Sequence, residues 1–265
     1  MNKFRTKIYH ISTKKLKGDS PVKFAVLADL HGVMYGSGNH MLLQRIEGEN
    51  PDAVLIPGDM IYSGDPATLY PVADFLIRLS DKYPVFYSLG NHEYRMLLDP
   101  ALHSEYLEYE RLLTSAGVCF LHNEHTSMKI QGTDFVFCGL ELPAEYYKKP
   151  KSPALSLTAM EELAGPVAQE GIRVLLAHNP KYGNTYFSWG ADLIFSGHYH
   201  GGIFRINENR GVISPQFHLF PAFCCGEFKR GGSHMIVSAG LGEHTLPVRI
   251  HNPRELIFAV LFPEE

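Results

Sequence analysis

Val85-Phe-Tyr-Ser-Leu-Gly-Asn-His-Glu93 is the stretch that decides how this chain folds. Its first half is apolar and aromatic, as in a buried strand, and it breaks at Gly90. Beyond the break stand Asn91, His92 and Glu93, three polar side chains with no apolar residue between them. A strand that ends in a glycine turn and then presents an amide and an imidazole delivers chemical groups to a sheet edge. One such turn is ordinary turn chemistry. Two earlier stretches repeat it, however: residues 22–28 run into Asp29-Leu30-His31, and residues 53–58 run into Asp59.

Between these three strands lie two helical patterns. Met41, Leu42, Leu43 and Ile46 follow a capping Asn39, and Leu69, Val72, Ala73, Leu76 and Leu79 recur at helical spacing. Strands alternating with helices predict crossovers, a parallel sheet core and loops gathered at the strand C-termini. Further on, the pattern predicts a helix over 102–116 and a strand over 118–121. A hairpin over 126–130 and 135–140 and a short helix over 158–164, capped by Ser156 or Thr158, come next. Residues 172–177 form a buried strand ending at His178, and residues 191–195 another ending in Ser196-Gly-His-Tyr-His200. Residues 4–11 read as an edge strand, 233–238 and 255–261 as closing strands, and 203–232 as irregular. No linker or repeat interrupts the chain, so residues 1–265 are expected to form one domain.

The composition is that of an ordinary globular α/β protein: 265 residues, 45% hydrophobic, with a net charge of -4. That charge gives no nucleic-acid patch, and no apolar run is long enough to span a bilayer. Fourteen histidines point to metal chemistry. Cys119, Cys138, Cys224 and Cys225 form no CxxC pair and read as reduced thiols, which implies a cytoplasmic location. The basic N-terminal stretch, with six Lys or Arg up to Gly18, reads as a solvated leading strand. Peripheral contact with an anionic membrane is its alternative role.

Eight polar residues thus sit at five strand ends: Asp29 and His31, Asp59, Asn91 and His92, His178, and His198 and His200. Residues two apart in extended chain point the same way, so Asp29 with His31, and His198 with His200, are expected to converge. A lone histidine at a strand end is usually a turn residue, but five such ends together call for one cause. Carboxylates, imidazoles and an amide oxygen without thiolate suit Mn, Fe or Zn better than Ca. Seven such ligands exceed the needs of one tetrahedral zinc and suffice for two metals.

Asp29-x-His31, Gly58-Asp59, Gly90-Asn91-His92-Glu93, His178 and Gly197-His198-x-His200, in this order, resemble the motif series of calcineurin-like metallophosphoesterases. His200-Gly-Gly202, Ser238-Ala-Gly-Leu-Gly242 and Pro247-Val-Arg249 resemble the bacterial branch that includes lipid-A-pathway nucleotide-sugar pyrophosphatases and related phosphodiesterases. The resemblance implies a four-layer α/β sandwich of two mixed sheets flanked by helices. It implies one metal on Asp29, His31 and His200, a second on Asn91, His178 and His198, and Asp59 as their bridge. His92 would face the substrate. Many members carry an Asp three residues after the bridging Asp, where it orients this histidine; here that place is Tyr62. Asp65, Glu93 or a backbone carbonyl is then expected to hold the ring.

The expected activity is hydrolysis of phosphodiester or pyrophosphate bonds by a dinuclear centre of divalent or mixed-valence transition metals, manganese among them. A metal-bridging hydroxide is the nucleophile and His92 the general acid, with Asp59 and Asn91 shaping the centre. The substrate is expected to be a small phosphorylated molecule, such as a nucleotide-sugar or a lipid-linked one. Tyr35, Tyr62, Tyr199, Arg249 and the 203–232 stretch are expected to line its cleft. The alternatives are a phosphomonoesterase or phosphoprotein phosphatase of the same fold, another metallohydrolase such as an amidase, or a non-catalytic metal-binding scaffold. An intact ligand series argues against the scaffold.

Overall fold

The computed structural model describes residues 3–243 and 248–264; His244 and the Pro247 of the quoted Pro247-Val-Arg249 stretch lie outside them. The first half of the chain runs β1 (Arg5–Thr13), β2 (Val22–Val26), α1 (His40–Glu49), β3 (Ala53–Ile56), α2 (Leu69–Ser80), β4 (Val85–Tyr87), α3 (Asn91–Leu98), α4 (His103–Ser115) and β5 (Val118–Phe120). The second half runs β6 (His125–Ile130), β7 (Thr133–Leu140), α5 (Leu157–Ala164), β8 (Ile172–Ala177), α6 (Gly183–Trp189) and β9 (Leu193–Ser196). It closes with β10 (Arg205–Asn207), β11 (Arg210–Gly211), β12 (Gly226–Arg230), β13 (Ser233–Val237) and β14 (Glu255–Pro263).

Two six-stranded sheets result, ordered β1-β14-β2-β3-β4-β5 and β12-β13-β9-β8-β7-β6. Each is mixed. β2 to β5 pair in parallel while β14 is antiparallel to β2, and β7, β8, β9 and β13 pair in parallel between two antiparallel edges. The sheets face each other across a core of Phe24, Phe86, Phe135, Phe137, Leu176 and Phe195, with Phe86 stacked on Phe137 at 4.0 Å. Val54 and Ile56 point the other way, onto Leu42, Ile46, Val72 and Leu76 of α1 and α2. On the far side, Leu175 and Ile194 pack on Met160, Tyr186 and Trp189 of α5 and α6. The alternation along each strand thus supplies both faces, giving four layers, α/β/β/α. Each fully buried side chain of this size contributes about 1.5–3 kcal/mol.

Register puts the chemistry at one end. Val26 pairs with Leu55 and Ile56 with Tyr87, so the residues following β2, β3 and β4 emerge together. Leu176 pairs with Phe195, and Ser196 with Val237, so β8, β9 and β13 end at the same level. Hydrogen bonds from Asp29 N–H to Gly58 O (3.1 Å) and from Leu241 N–H to Ala28 O (3.0 Å) carry the order into the loops and across the sheets.

Three local expectations change, and one open alternative is settled. Asn39 does not cap α1; its side chain accepts from Tyr35 N–H at 2.8 Å. Ser156, not Thr158, caps α5, accepting from Ala159 N–H at 3.0 Å. Asn91 to Glu93 do not end a turn but start α3. The 203–232 stretch holds the β10–β11 hairpin and the edge strand β12, whose Glu227, Lys229 and Arg230 masked its strand pattern.

His122 ties the helical layer to the second sheet. Its Nε2 lies 3.0 Å from Glu110 Oε1 of α4 and its Nδ1 2.9 Å from Glu141 Oε1 beyond β7. Hydrogen bonds to Glu110 and Glu141 outweigh burial and push its pKa up to about 10. A raised folded pKa stabilises fully below the unfolded value and loses its effect as pH rises through the folded one. The stability gap between wild type and His122→Gln is therefore expected to be largest near pH 6 and to close by about pH 10–11. Urea unfolding across that range measures it; a gap that is constant with pH would exclude the charged pair as its cause.

Candidate metal centre and active site

The site backbone is unusual. Asp29, His31, Asp59, His198 and His200 have φ of 52°, 48°, 57°, 66° and 48°, all in the left-handed region. Such a run of non-glycine residues costs energy and persists only where the surroundings impose it, as functional sites do. Asp29 converges with His31 through these kinks and not through the extended alternation that the spacing suggested. His198 and His200 turn to different groups, His200 to Asp29 and His31, and His198 to Asp59 and His178. Glycines make room: a Cβ at Gly90 would stand 2.2 Å from Asp59 Oδ1, and one at Gly197 2.5 Å from Asp29 Oδ2.

Seven side chains meet there. Atoms of Asp29, His31 and His200 lie within 4.8 Å of one another, and so do atoms of Asp59, His178 and His198. The two groups join at Asp59, whose Oδ2 is 3.0 Å from His178 Nε2 and 3.8 Å from His31 Nε2. His200 Nε2 is 3.5 Å from Asp29 Oδ1. The carboxylates are aimed by backbone N–H groups, His198 donating to Asp29 (2.9 Å) and His92 to Asp59 (2.8 Å). His178 Nδ1–H donates to Pro57 O at 2.9 Å, which leaves the Nε2 lone pair facing the centre. Asn91 Oδ1 is buried with no hydrogen-bond partner, as a ligand atom awaiting a cation would be. Two carboxylates, four imidazoles and an amide oxygen therefore fit a pair of transition-metal ions.

The electrostatics point the same way. Burial, reinforced by Asp59, pushes Asp29 up to about 7 against the pull of His178. Burial also works against ionised Asp59, but His178 and His92 outweigh it and hold this carboxyl well below its usual range. Burial disfavours a charged His178, yet Asp59 and Asp29 raise it to about 9. The buried carboxylates thus demand positive charge, which His178 supplies as imidazolium and metal ions would supply in its place.

Glu93 supports this centre from below. Wholly buried, it accepts from the N–H groups of Asp59 (2.9 Å), Met60 (2.7 Å), Ile61 (3.3 Å) and Gly90 (3.1 Å), and from Tyr87 OH (2.7 Å). Its bond to Gly90 N–H also caps the start of α3. Neither it nor Asp65, which accepts from Ala67 N–H, holds His92. That role falls to Ser63, whose N–H donates to His92 Nδ1 at 3.2 Å and whose Oγ lies 2.9 Å away. Arg95 in turn donates to Ser63 Oγ at 3.1 Å.

A cleft of about 480 Å³ opens over the centre, lined among others by Asp59, Tyr62, His92, Arg95, Tyr147 and Lys149. Tyr62 is where the sequence reading put it. Tyr35 is not: it is fully buried, with its OH bonded to Leu241 O. Tyr199 is also buried, packed beneath His198, and does not line the cleft. Arg249 lies behind His200, its Nη2 3.2 Å from Nδ1, and donates to the carbonyls of Ala239 and Gly242. From the 203–232 stretch only Pro215 lines the cleft among the described residues. Arg95 was legible in principle, because it lies one helical turn from His92 once α3 is recognised. Tyr147 and Lys149 come from a loop of the second half and carry no motif.

The chain resembles known phosphoesterases. The calcineurin-like phosphoesterase family model matches residues 22–202. An uncharacterized metallophosphoesterase of Campylobacter jejuni is 27% identical over 93% of this chain, which spans 60% of that protein. The phosphodiesterase YaeI of Escherichia coli is 28% identical over 71% of this chain and 63% of its own length. Among solved structures, the sulfate thiohydrolase SoxB of Thermus thermophilus matches in fold, with a TM-score of 0.51 at 15% identity over 86% of this chain and 53% of SoxB. With its motif series at one sheet edge and its candidate ligand atoms converged, the chain belongs to the calcineurin-like phosphoesterase family.

Proposed function

We propose that the protein hydrolyses phosphodiester or pyrophosphate bonds in small substrates at a dinuclear centre. Asp29, His31 and His200 would hold one ion, Asn91, His178 and His198 the other, and Asp59 both. The observation that carries this reading is the pair of groups, Asp29–His31–His200 and Asp59–His178–His198, joined by the 3.8 Å approach of Asp59 to His31 beneath an open cleft. Two bound cations supply Lewis acidity and a water activated near neutral pH. No helix among the described residues is long and apolar enough to cross a membrane, and the four cysteines are free thiols, which favours a reducing compartment such as the cytoplasm.

The chain's own residues do the remainder. Arg95 and Lys149, on the cleft wall with His92, neutralise charge on the phosphate or on a phosphorylated leaving group. Tyr62 and Tyr147 offer ring faces to that group. Ser63 N–H donates to His92 Nδ1, so the neutral ring carries its hydrogen on Nε2, toward the cleft. As the acid the ring is the imidazolium: with Ser63 Oγ, 2.9 Å from Nδ1, accepting the Nδ1 hydrogen, His92 gives its Nε2 proton to the departing oxygen and returns to neutral imidazole. The relative named a phosphodiesterase and the open cleft support a diester substrate; nucleotide-sugars and lipid-linked pyrophosphates are the candidate classes. A panel of phosphomonoesters, diesters, nucleotide-sugars and lipid-linked pyrophosphates, assayed with Mn²⁺, tests this. Turnover of monoesters alone would overturn it.

His92→Asn is expected to slow an alkyl diester by about 10²–10⁴-fold and a nitrophenyl diester far less, because a nitrophenolate departs without an acid. Ser63→Ala should show the same selectivity in weaker form. Equal losses on both esters, at unchanged metal content, would assign His92 to charge stabilisation instead.

A further inference from the structure

An apolar platform stands beside the cleft mouth, and the chemistry of the site does not use it. Phe217, Leu219 and Phe220 are 65%, 66% and 64% exposed, and Phe204, Ile206, Val248 and Ile250 are exposed as well. They belong to one surface. Phe204 bridges Ile250, Val212 N–H donates to Phe204 O, Phe220 N–H to Val212 O, and Ile213 bridges Leu219. Phe217 and Phe220 are held outward from left-handed backbone, φ 62° and 49°, which bulky residues rarely adopt. Soluble surfaces seldom show large apolar side chains so contiguously without a partner.

The charge around the platform identifies that partner. Lys149 lies 5.3 Å from the Phe217 ring centroid, and Gln216 donates to Lys148 O, so the exposed loop of Lys148, Lys149 and Lys151 borders one side. Arg5 and Lys7 of β1 share a surface hollow with Phe204 and Ile206 on the other. The two acidic residues of that hollow are both paired, Glu208 with Lys7 at 2.9 Å and Glu255 with Arg205 at 3.6 Å, which leaves Arg5 as its uncompensated cation among the described residues. A chain of net charge -4 thus frames its exposed aromatics with cations, the pattern that binds an anionic bilayer surface.

We propose that the 204–220 and 248–250 platform docks on an anionic lipid surface, with Phe217, Leu219 and Phe220 inserted among the headgroups and the flanking lysines on the lipid phosphates. Docking there brings the cleft mouth, which shares Lys149 and Pro215 with this region, against the bilayer. The contact rests on surface composition alone and is independent of the catalytic reading.

Sedimentation with vesicles of phosphatidylcholine, with and without phosphatidylglycerol, tests it on the full chain. Binding is expected only when phosphatidylglycerol is present, and to fall as salt rises. Phe217→Ser combined with Phe220→Ser should weaken it at least about tenfold, the loss of two inserted aromatic side chains. Lys148→Glu with Lys151→Glu, which leaves the apolar surface intact, should weaken it about fivefold per lost charge. Hydrolysis of a soluble nitrophenyl diester, far-UV circular dichroism and metal content should not change in either variant. Absence of binding to anionic vesicles, or binding indifferent to both variants, would overturn the proposal. So would a dimer, seen by sedimentation velocity, that Leu219→Ser dissolves, since the platform would then be a protein interface.

Discussion

Asp59→Asn is expected to abolish turnover, lowering it at least about 10³-fold, the equivalent of the several kcal/mol that a catalytic ion contributes. The carboxylate stands 3.0 Å from His178 and 3.8 Å from His31, and its other oxygen accepts from His92 N–H. It belongs to the group with His178 and His198 and reaches the other group through His31. An amide keeps the shape but loses the charge, and in one orientation sets an NH₂ against the His92 N–H. Metal content measured by elemental analysis should fall from about two equivalents toward one, the stoichiometry a two-ion centre requires. Substantial activity at one tightly bound equivalent, in wild type or variant, would end the dinuclear reading.

Glu93→Gln should cost the fold several kcal/mol although it changes neither the size of the side chain nor a proposed ligand. The buried carboxylate gathers four backbone N–H groups and a tyrosine hydroxyl, and three of those N–H groups belong to consecutive residues from Asp59 to Ile61. Glutamine keeps one acceptor oxygen and turns an NH₂ toward donors. Each buried donor left unpaired costs about 1–3 kcal/mol, so a loss of roughly 2–4 kcal/mol is expected. Because Glu93 shapes the turn that carries Asp59, metal affinity should drop about 10–100-fold as well. Urea unfolding with and without added metal separates the two effects. A loss under about 0.5 kcal/mol, within the range of a neutral surface change, would show that the Asp59 turn holds itself.

Strand and helix order were legible because they rest on local periodicity. Residues 22–26, 53–56 and 85–87 are apolar at nearly every position, as parallel strands covered on both faces must be. Helix α2 declared itself through Leu69, Val72, Leu76 and Leu79. The edge strand β12 did not, because a strand paired on one side tolerates charge. Helix α3 stayed hidden behind the polar Asn91-His92-Glu93 opening, although Glu93 at its third position is a capping signal.

The sequence by itself determined the chemical identity of the site: which residue types stand at the strand ends, and that they suit oxygen- and nitrogen-loving transition metals. Periodicity sets where a strand stops, and the residues just beyond it are read without any tertiary knowledge. Which of them share a point was decided only by the packing of the two sheets, since His178, His198 and His200 come from one sheet and Asp29, His31, Asp59 and Asn91 from the other. Loop side chains follow no period, so the burial of Tyr35 and Tyr199 and the exposure of Tyr62 could not be read from spacing. The Ser63 hydrogen bond to His92 and the reach of Lys149 into the cleft likewise join segments far apart in the chain. Such contacts exist because long-range packing brings the backbones together, and no local pattern encodes that.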